Sequence, residues 1–148
     1  MDPQYKEGRI RVGVSYEEFV ESEFRRLRLI QPAKAQSGQA AGMFLDEATS
    51  EQYPCISAQI LGVIHERTLY HPDREHRPTE RYKLYLVEHG TNIKYRLDLY
   101  GRLMDEIVHF GKQVGDLWNR SVTIESSDAG TYWLPTFQLM KARTKSSR

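Results

Sequence analysis

From Cys55 to Tyr70 the chain is apolar and β-branched over a length that no ordinary flat strand reaches, and Gly62 sits near the middle, where the alternation loses register. A glycine there predicts a bulge or sharp bend, because one extra residue must be accommodated without a partner. A strand that bends yet keeps its pairing belongs to a closed, curled sheet, so Ile56, Ala58, Ile60 and Ile64 are expected to face the interior. Two alternating runs follow. Over 81–88, Tyr82, Leu84 and Leu86 alternate with Arg81, Lys83, Tyr85 and Val87; over 93–100, Ile93, Tyr95, Leu97 and Leu99 alternate with Lys94, Arg96, Asp98 and Tyr100. A period of two means that each strand buries one row and shows the other.

Next comes a helical pattern over 102–114, with Leu103, Met104, Ile107, Val108, Phe110 and Val114 on one broad stripe and Gly115 as its stop. Two further strands are predicted at 118–125 and 131–140, joined by a turn-rich connection at 126–130, with Pro135 demoting the last to an edge. This order predicts a mainly β fold: a five-stranded OB-type barrel with one helix between strands three and four, plus an N-terminal extension.

Three regions follow: an N-terminal arm over 1–23, the barrel domain over 24–140 and a basic flexible tail over 141–148. In the arm, Ile10, Val12 and Val14 alternate, a pattern that suits either an edge strand or a loose segment. Ser15 and Glu18 have capping-box spacing ahead of a short helix over about 16–24. Leu27, Leu29 and the pre-proline Ile30 read as a short strand ending at Pro32, and 33–42 reads as a loop. The segment 71–80, with two prolines and many charges, reads as the exposed loop between barrel strands one and two.

The balance of 39% hydrophobic and 28% charged residues suits one globular domain. The chain lacks a run of apolar residues long enough for a membrane span and lacks a secretory leader, so a cytoplasmic protein of a bacterial or archaeal host is expected. The single cysteine, Cys55, excludes an internal disulfide and a cysteine-rich zinc site, and is expected to be a buried small side chain within a strand. His65, His71 and His76 lie close together but not at a known ligand spacing, so no metal and no cofactor are expected. Nucleophile-elbow, Walker and dinucleotide motifs are absent, and Asp105 and Glu106 sit on the polar side of the helix, so an enzyme is not expected.

The shown rows of strands two and three carry basic and aromatic side chains together. Binding of single strands needs positive charge along the phosphates and flat rings for the bases. Arg67, Arg81, Lys83, Lys94 and Arg96 are therefore the expected phosphate contacts, and Tyr70, Tyr85, Tyr100 and Trp133 the expected stacking platforms. Tyr132 and Trp133 must face opposite ways in a strand, and the pattern leaves open which points out. A solvated, self-stacked face, or an interface with a partner chain, has the same composition.

The segments 26–32, 66–70 and 131–137 resemble the leading strand, the basic-aromatic strand end and the terminal strand of the OB-fold single-stranded-DNA-binding proteins of bacteriophages and mobile elements. The resemblance covers about residues 24 to 140. It implies protection of single strands in replication or recombination. DNA is expected as the partner ahead of RNA, a preference the residues leave open, and self-association into a homo-oligomer is a separate expectation. The acidic C-terminal docking tail of that family has no counterpart here, because the last residues are basic. The alternative is a structural assembly subunit built on the same barrel.

Overall fold

The computed structural model describes residues 10–12, 21–68 and 79–140. The strands are β1 (Ile10–Val12), β2 (Arg25–Leu29), β3 (Phe44–Asp46), β4 (Gln52–Tyr53), β5 (Ile56–Thr68), β6 (Thr79–Glu88), β7 (Lys94–Tyr100), β8 (Ser121–Asp128) and β9 (Trp133–Leu139), and helix α1 (Arg102–Val114) lies between β7 and β8. They form one curled sheet in the order β4-β3-β2-β7-β6-β5-β8-β9, with β1 beside β5. The fold is mainly β, as predicted, but among the described residues the sheet has nine strands, not five. The difference lies in β1 to β4. The short apolar strand read at 27–30 does form, and it joins β7 in parallel, with Leu27 beside Leu97, before turning back through β3. A parallel neighbour distant in sequence leaves no local signature.

β5 organises the sheet. β6 lines one edge from Ala58 to Thr68, while the other edge is shared by β8 at Ile56–Gln59 and β1 at Val63–His65. The predicted bulge is present between Ile60 and Gly62, where the partner changes. It also overturns one expectation. The extra residue inverts the parity beyond it, so Val63 rather than Ile64 enters the core, and Ile64, opposite Lys83, is buried on the outer face.

The interior is filled by Leu27, Leu29, Phe44, Ile60, Leu84, Leu86, Tyr95, Leu97 and Leu99, with Ile107 and Phe110 of α1 closing it from one end. Phe110 stacks on Phe137 at 5.7 Å between ring centroids. α1 has the predicted bounds and stops at Gly115, whose φ of +86° suits glycine.

The last two strands begin later than predicted. Trp118 and Asn119 lie in a turn in which Asn119 has a φ of +63° and donates its N–H to the Ile60 carbonyl, so β8 starts only at Ser121. β9 starts at Trp133 for a related reason: Ala129 N–H bonds the Tyr132 carbonyl and closes the connection. Cys55 corrects another expectation, since it is exposed just ahead of β5 rather than buried within it. In the arm, 10–12 takes the edge-strand alternative; of the helix expected over 16–24, Glu21–Glu23 is a 3-10 turn, Phe24 is a bend, and 16–20 lie outside the described residues, as does the tail 141–148. Among the described residues, no helix is long and apolar enough to cross a membrane.

Between β9 and the β2–β3 hairpin the sheet meets itself without a strand ladder. The Gln31 carboxamide bridges the gap: Nε2 donates to the Trp133 carbonyl at 2.9 Å and Oε1 accepts from Trp133 N–H at 2.8 Å. One side chain thus reproduces the two bonds of a strand neighbour. Ser126 Oγ adds a bond to the Gly42 carbonyl at 2.6 Å. The Trp133 ring lies so close over Gly42 that a Cβ there would come within 2.9 Å of it.

Candidate nucleic-acid interface

The predicted rows do share a face. Arg81, Lys83, Tyr85 and Val87 of β6 stand opposite Tyr100, Asp98, Arg96 and Lys94 of β7. This face satisfies most of its own charge. Glu66 of β5 accepts from Arg81 Nε at 2.7 Å and lies 3.0 Å from Lys83 Nζ. Asp98, its side chain only 3% exposed, receives Arg81 at 3.2 Å, Arg96 at 2.9 Å and Arg26 of β2 at 3.5 Å. Burial pushes the Glu66 carboxyl up, but the bonds from Arg81 and Lys83 outweigh it and hold the group below the ordinary carboxylate range. Burial acts on Arg81 in the opposite sense, and its bonds to Tyr100 and Glu66 raise its pKa on balance.

Two predicted contacts are therefore internal. Lys83 is 4% exposed and Tyr85 is fully buried, with the Phe24 ring standing edge-on to Tyr85 at 5.0 Å. Neither presents a surface to a strand, because the residues preceding β2 cover that part of the sheet and Glu66 holds the ammonium. Lys94 pairs with Glu23 at 2.8 Å beside the same Phe24 ring, and Arg96 is taken up by Asp98. Trp133 is also relocated: it packs over Gly42 and against the core. Tyr70, His71 and His76 lie outside the described residues. Arg67 has a place in β5 opposite Glu80, and its side chain is outside the description. His65 is hydrogen-bonded through Nε2 to the Glu80 carboxylate and stacks on Tyr82 at 4.5 Å. Among the described residues no group of histidine, cysteine and carboxylate side chains is arranged to hold a metal.

The basic-aromatic groups that keep some exposure lie at the rim where β7 enters α1. Arg81 donates to the Tyr100 hydroxyl at 2.8 Å with its guanidinium 5.8 Å from the ring centroid, and Tyr100 is 47% exposed. Across Gly101, Arg102 donates to the Tyr132 hydroxyl at 3.0 Å and lies 5.7 Å from that ring's centroid. Gln31, Ala33, Arg102, Leu103, Thr131 and Tyr132 line an open cleft of about 390 Å³. Of the residue pair left open above, Tyr132 takes the outward role. Arg102 is absent from the predicted set because it reads as a helix start, and Tyr132 because strand alternation over 131–140 does not decide between it and Trp133, whereas the structure starts β9 only at Trp133. Only the fold brings them together.

No protein-family model, curated protein or solved structure matches this chain.

Proposed function

We propose that this protein is a non-enzymatic binder of single-stranded DNA, and that the strand lies across the rim formed by Arg81, Tyr100, Arg102 and Tyr132 rather than along the middle of β6 and β7. The observation that carries the reading is the pair of arginine–tyrosine units on either side of Gly101, in which Tyr100 and Arg102 are exposed and Arg81 and Tyr132 half-buried, beside a cleft with a mostly apolar lining. Each unit offers a ring for a base. Arg102 adds a cation for a phosphate, while Arg81, already paired with Glu66 and Asp98, holds the Tyr100 ring in place, and ring plus cation is the combination that binds single strands without regard to sequence. The order of β5, β6, β7, α1, β8 and β9 supports an OB-type reading, in which β2 occupies the edge of β7 that the fifth barrel strand would otherwise take. A role in replication or recombination of a phage or mobile element, in the host cytoplasm, belongs to the same proposal.

Titration of a labelled mixed-sequence oligonucleotide at several salt concentrations tests it. The expected result is affinity that falls with salt, with a log–log slope of about −0.7 for each phosphate neutralised. Tyr100→Ala and Tyr132→Ala should each weaken binding by about 1–3 kcal/mol. A flat salt response, or full affinity in both variants, would reject the rim.

The alternative, a structural assembly subunit, is favoured by one observation: Lys94 and Arg96 already have acidic partners within the chain. Sizing chromatography with and without the oligonucleotide separates the two. A strand-independent oligomer with no shift on adding the strand supports the subunit.

A further inference from the structure

Asp98 is where guanidinium groups from separate strands meet. Its Oδ2 lies 3.2 Å from Arg81 Nη1, 3.1 Å from Arg96 Nη2 and 3.5 Å from Arg26 Nη2. Its Oδ1 comes within 2.9 Å of Arg96 Nε without the alignment of a hydrogen bond, and among the described residues these two buried atoms have no other bond of that kind. Converging guanidiniums on one small anion are the arrangement by which proteins hold phosphoryl groups. Arg26, 46% exposed at its side chain, and Arg81, 28% exposed with its Nε held by Glu66, are the members through which the cluster reaches solvent.

We infer that Arg26, Arg81 and Arg96 form an oxyanion site in which Asp98 is the resident anion, and that a phosphoryl group of a bound strand competes with Asp98 for the outer edges of Arg26 and Arg81. The inference rests on the strand-binding reading for the identity of the incoming anion, and on the geometry around Asp98 for the site itself. It makes Asp98 a brake. Its charge lies next to the path of a polyanion, so taking that charge away strengthens binding, whereas a residue that merely positioned the arginines would weaken binding when changed. Arg26 enters the set only through the parallel pairing of β2 with β7, which places it beside Arg96.

The test compares the full chain with Asp98→Asn. With the labelled oligonucleotide, Asp98→Asn is expected to bind about three- to tenfold more tightly, with a steeper salt dependence. Thermal melts in inorganic phosphate and in chloride at equal ionic strength are expected to show phosphate raising the melting temperature of Asp98→Asn but not of the natural chain. Where the natural chain binds the oligonucleotide, unchanged or weaker binding by a folded Asp98→Asn protein overturns the inference. If that variant does not fold, Arg26→Gln decides: affinity about threefold lower and a slope smaller by about 0.7 are expected, and an unchanged slope overturns the site. Failure of every form to bind the oligonucleotide, together with phosphate stabilisation of Asp98→Asn, would sink the strand-binding reading and keep the oxyanion site. Absence of the phosphate effect would sink the site.

Discussion

Asp46 is sealed inside the sheet, with its carboxylate held by Arg25 at 3.1 Å, the Tyr95 hydroxyl at 3.1 Å and the Ala48 N–H at 2.9 Å. Burial pushes the carboxyl up. The bonds from Ala48, Arg25 and Tyr95 outweigh that, so the group stays charged below the ordinary carboxylate range, while burial and the facing carboxylate push the Tyr95 phenol up. A carboxyl depressed in the folded state adds stability that is fully present above its unfolded value of about 4 and is lost as pH falls through the folded value. Asp46→Asn should therefore flatten the acid side of the stability profile below about pH 4, and at neutral pH should cost about 1–3 kcal/mol by leaving Arg25 and Tyr95 with a poorer acceptor. Denaturant titrations at several pH values would show it. Matching acid limbs in the two proteins would mean that another carboxyl, such as Glu66, carries the dependence.

Among the elements, the junction between β9 and the β2–β3 hairpin is the least conventional. Even-numbered residues of β9 turn their backbone groups toward β8, as the bond from Met140 N–H to the Ser121 carbonyl shows, and odd-numbered ones turn away. Pro135, which has no N–H to offer, falls on the side turned away, and Trp133 on that side is satisfied by Gln31. Gln31→Ala would leave both backbone groups of Trp133 without that partner, at an expected cost of about 1–3 kcal/mol. Gly42→Ala should destabilise by more than about 1 kcal/mol, because Gly42 combines a φ of +90° with the Trp133 ring at 2.9 Å from any added Cβ. Thermal denaturation of each variant measures these effects, and natural melting temperatures for both would show that the junction contributes little.

For the whole molecule, β5 ties together β1, β6 and β8, while the parallel contact of β2 with β7 joins the leading segment to the same sheet. A sheet connected in this way should unfold as one cooperative unit. Trp118, exposed before β8, and Trp133, at the junction, report on different places. Fluorescence-monitored denaturation of Trp118→Phe and Trp133→Phe should give transitions of one shape and slope, each displaced only by its own change in stability. Two separated steps in either variant would show that the junction opens independently.

Local periodicity was enough to place the Gly62 bulge, the shared face of Arg81, Lys83, Lys94 and Arg96, and the bounds of α1, because alternation and helical spacing are properties of neighbouring residues. It could not show what lies over a face. Tyr85 reads as an outward ring from its parity and is outward, yet Phe24, just ahead of β2, stands against it. Lys83 reads as a free cation, and Glu66 reaches it only because β5 and β6 pair in a register that the bulge has already shifted. Tyr132 meets Arg102 across a turn and a helix start thirty residues apart. Which side chains carry charge and aromatic surface was written in the chain, but which of them remain available to a ligand depends on long-range pairing, and that is decided only when distant segments are packed together.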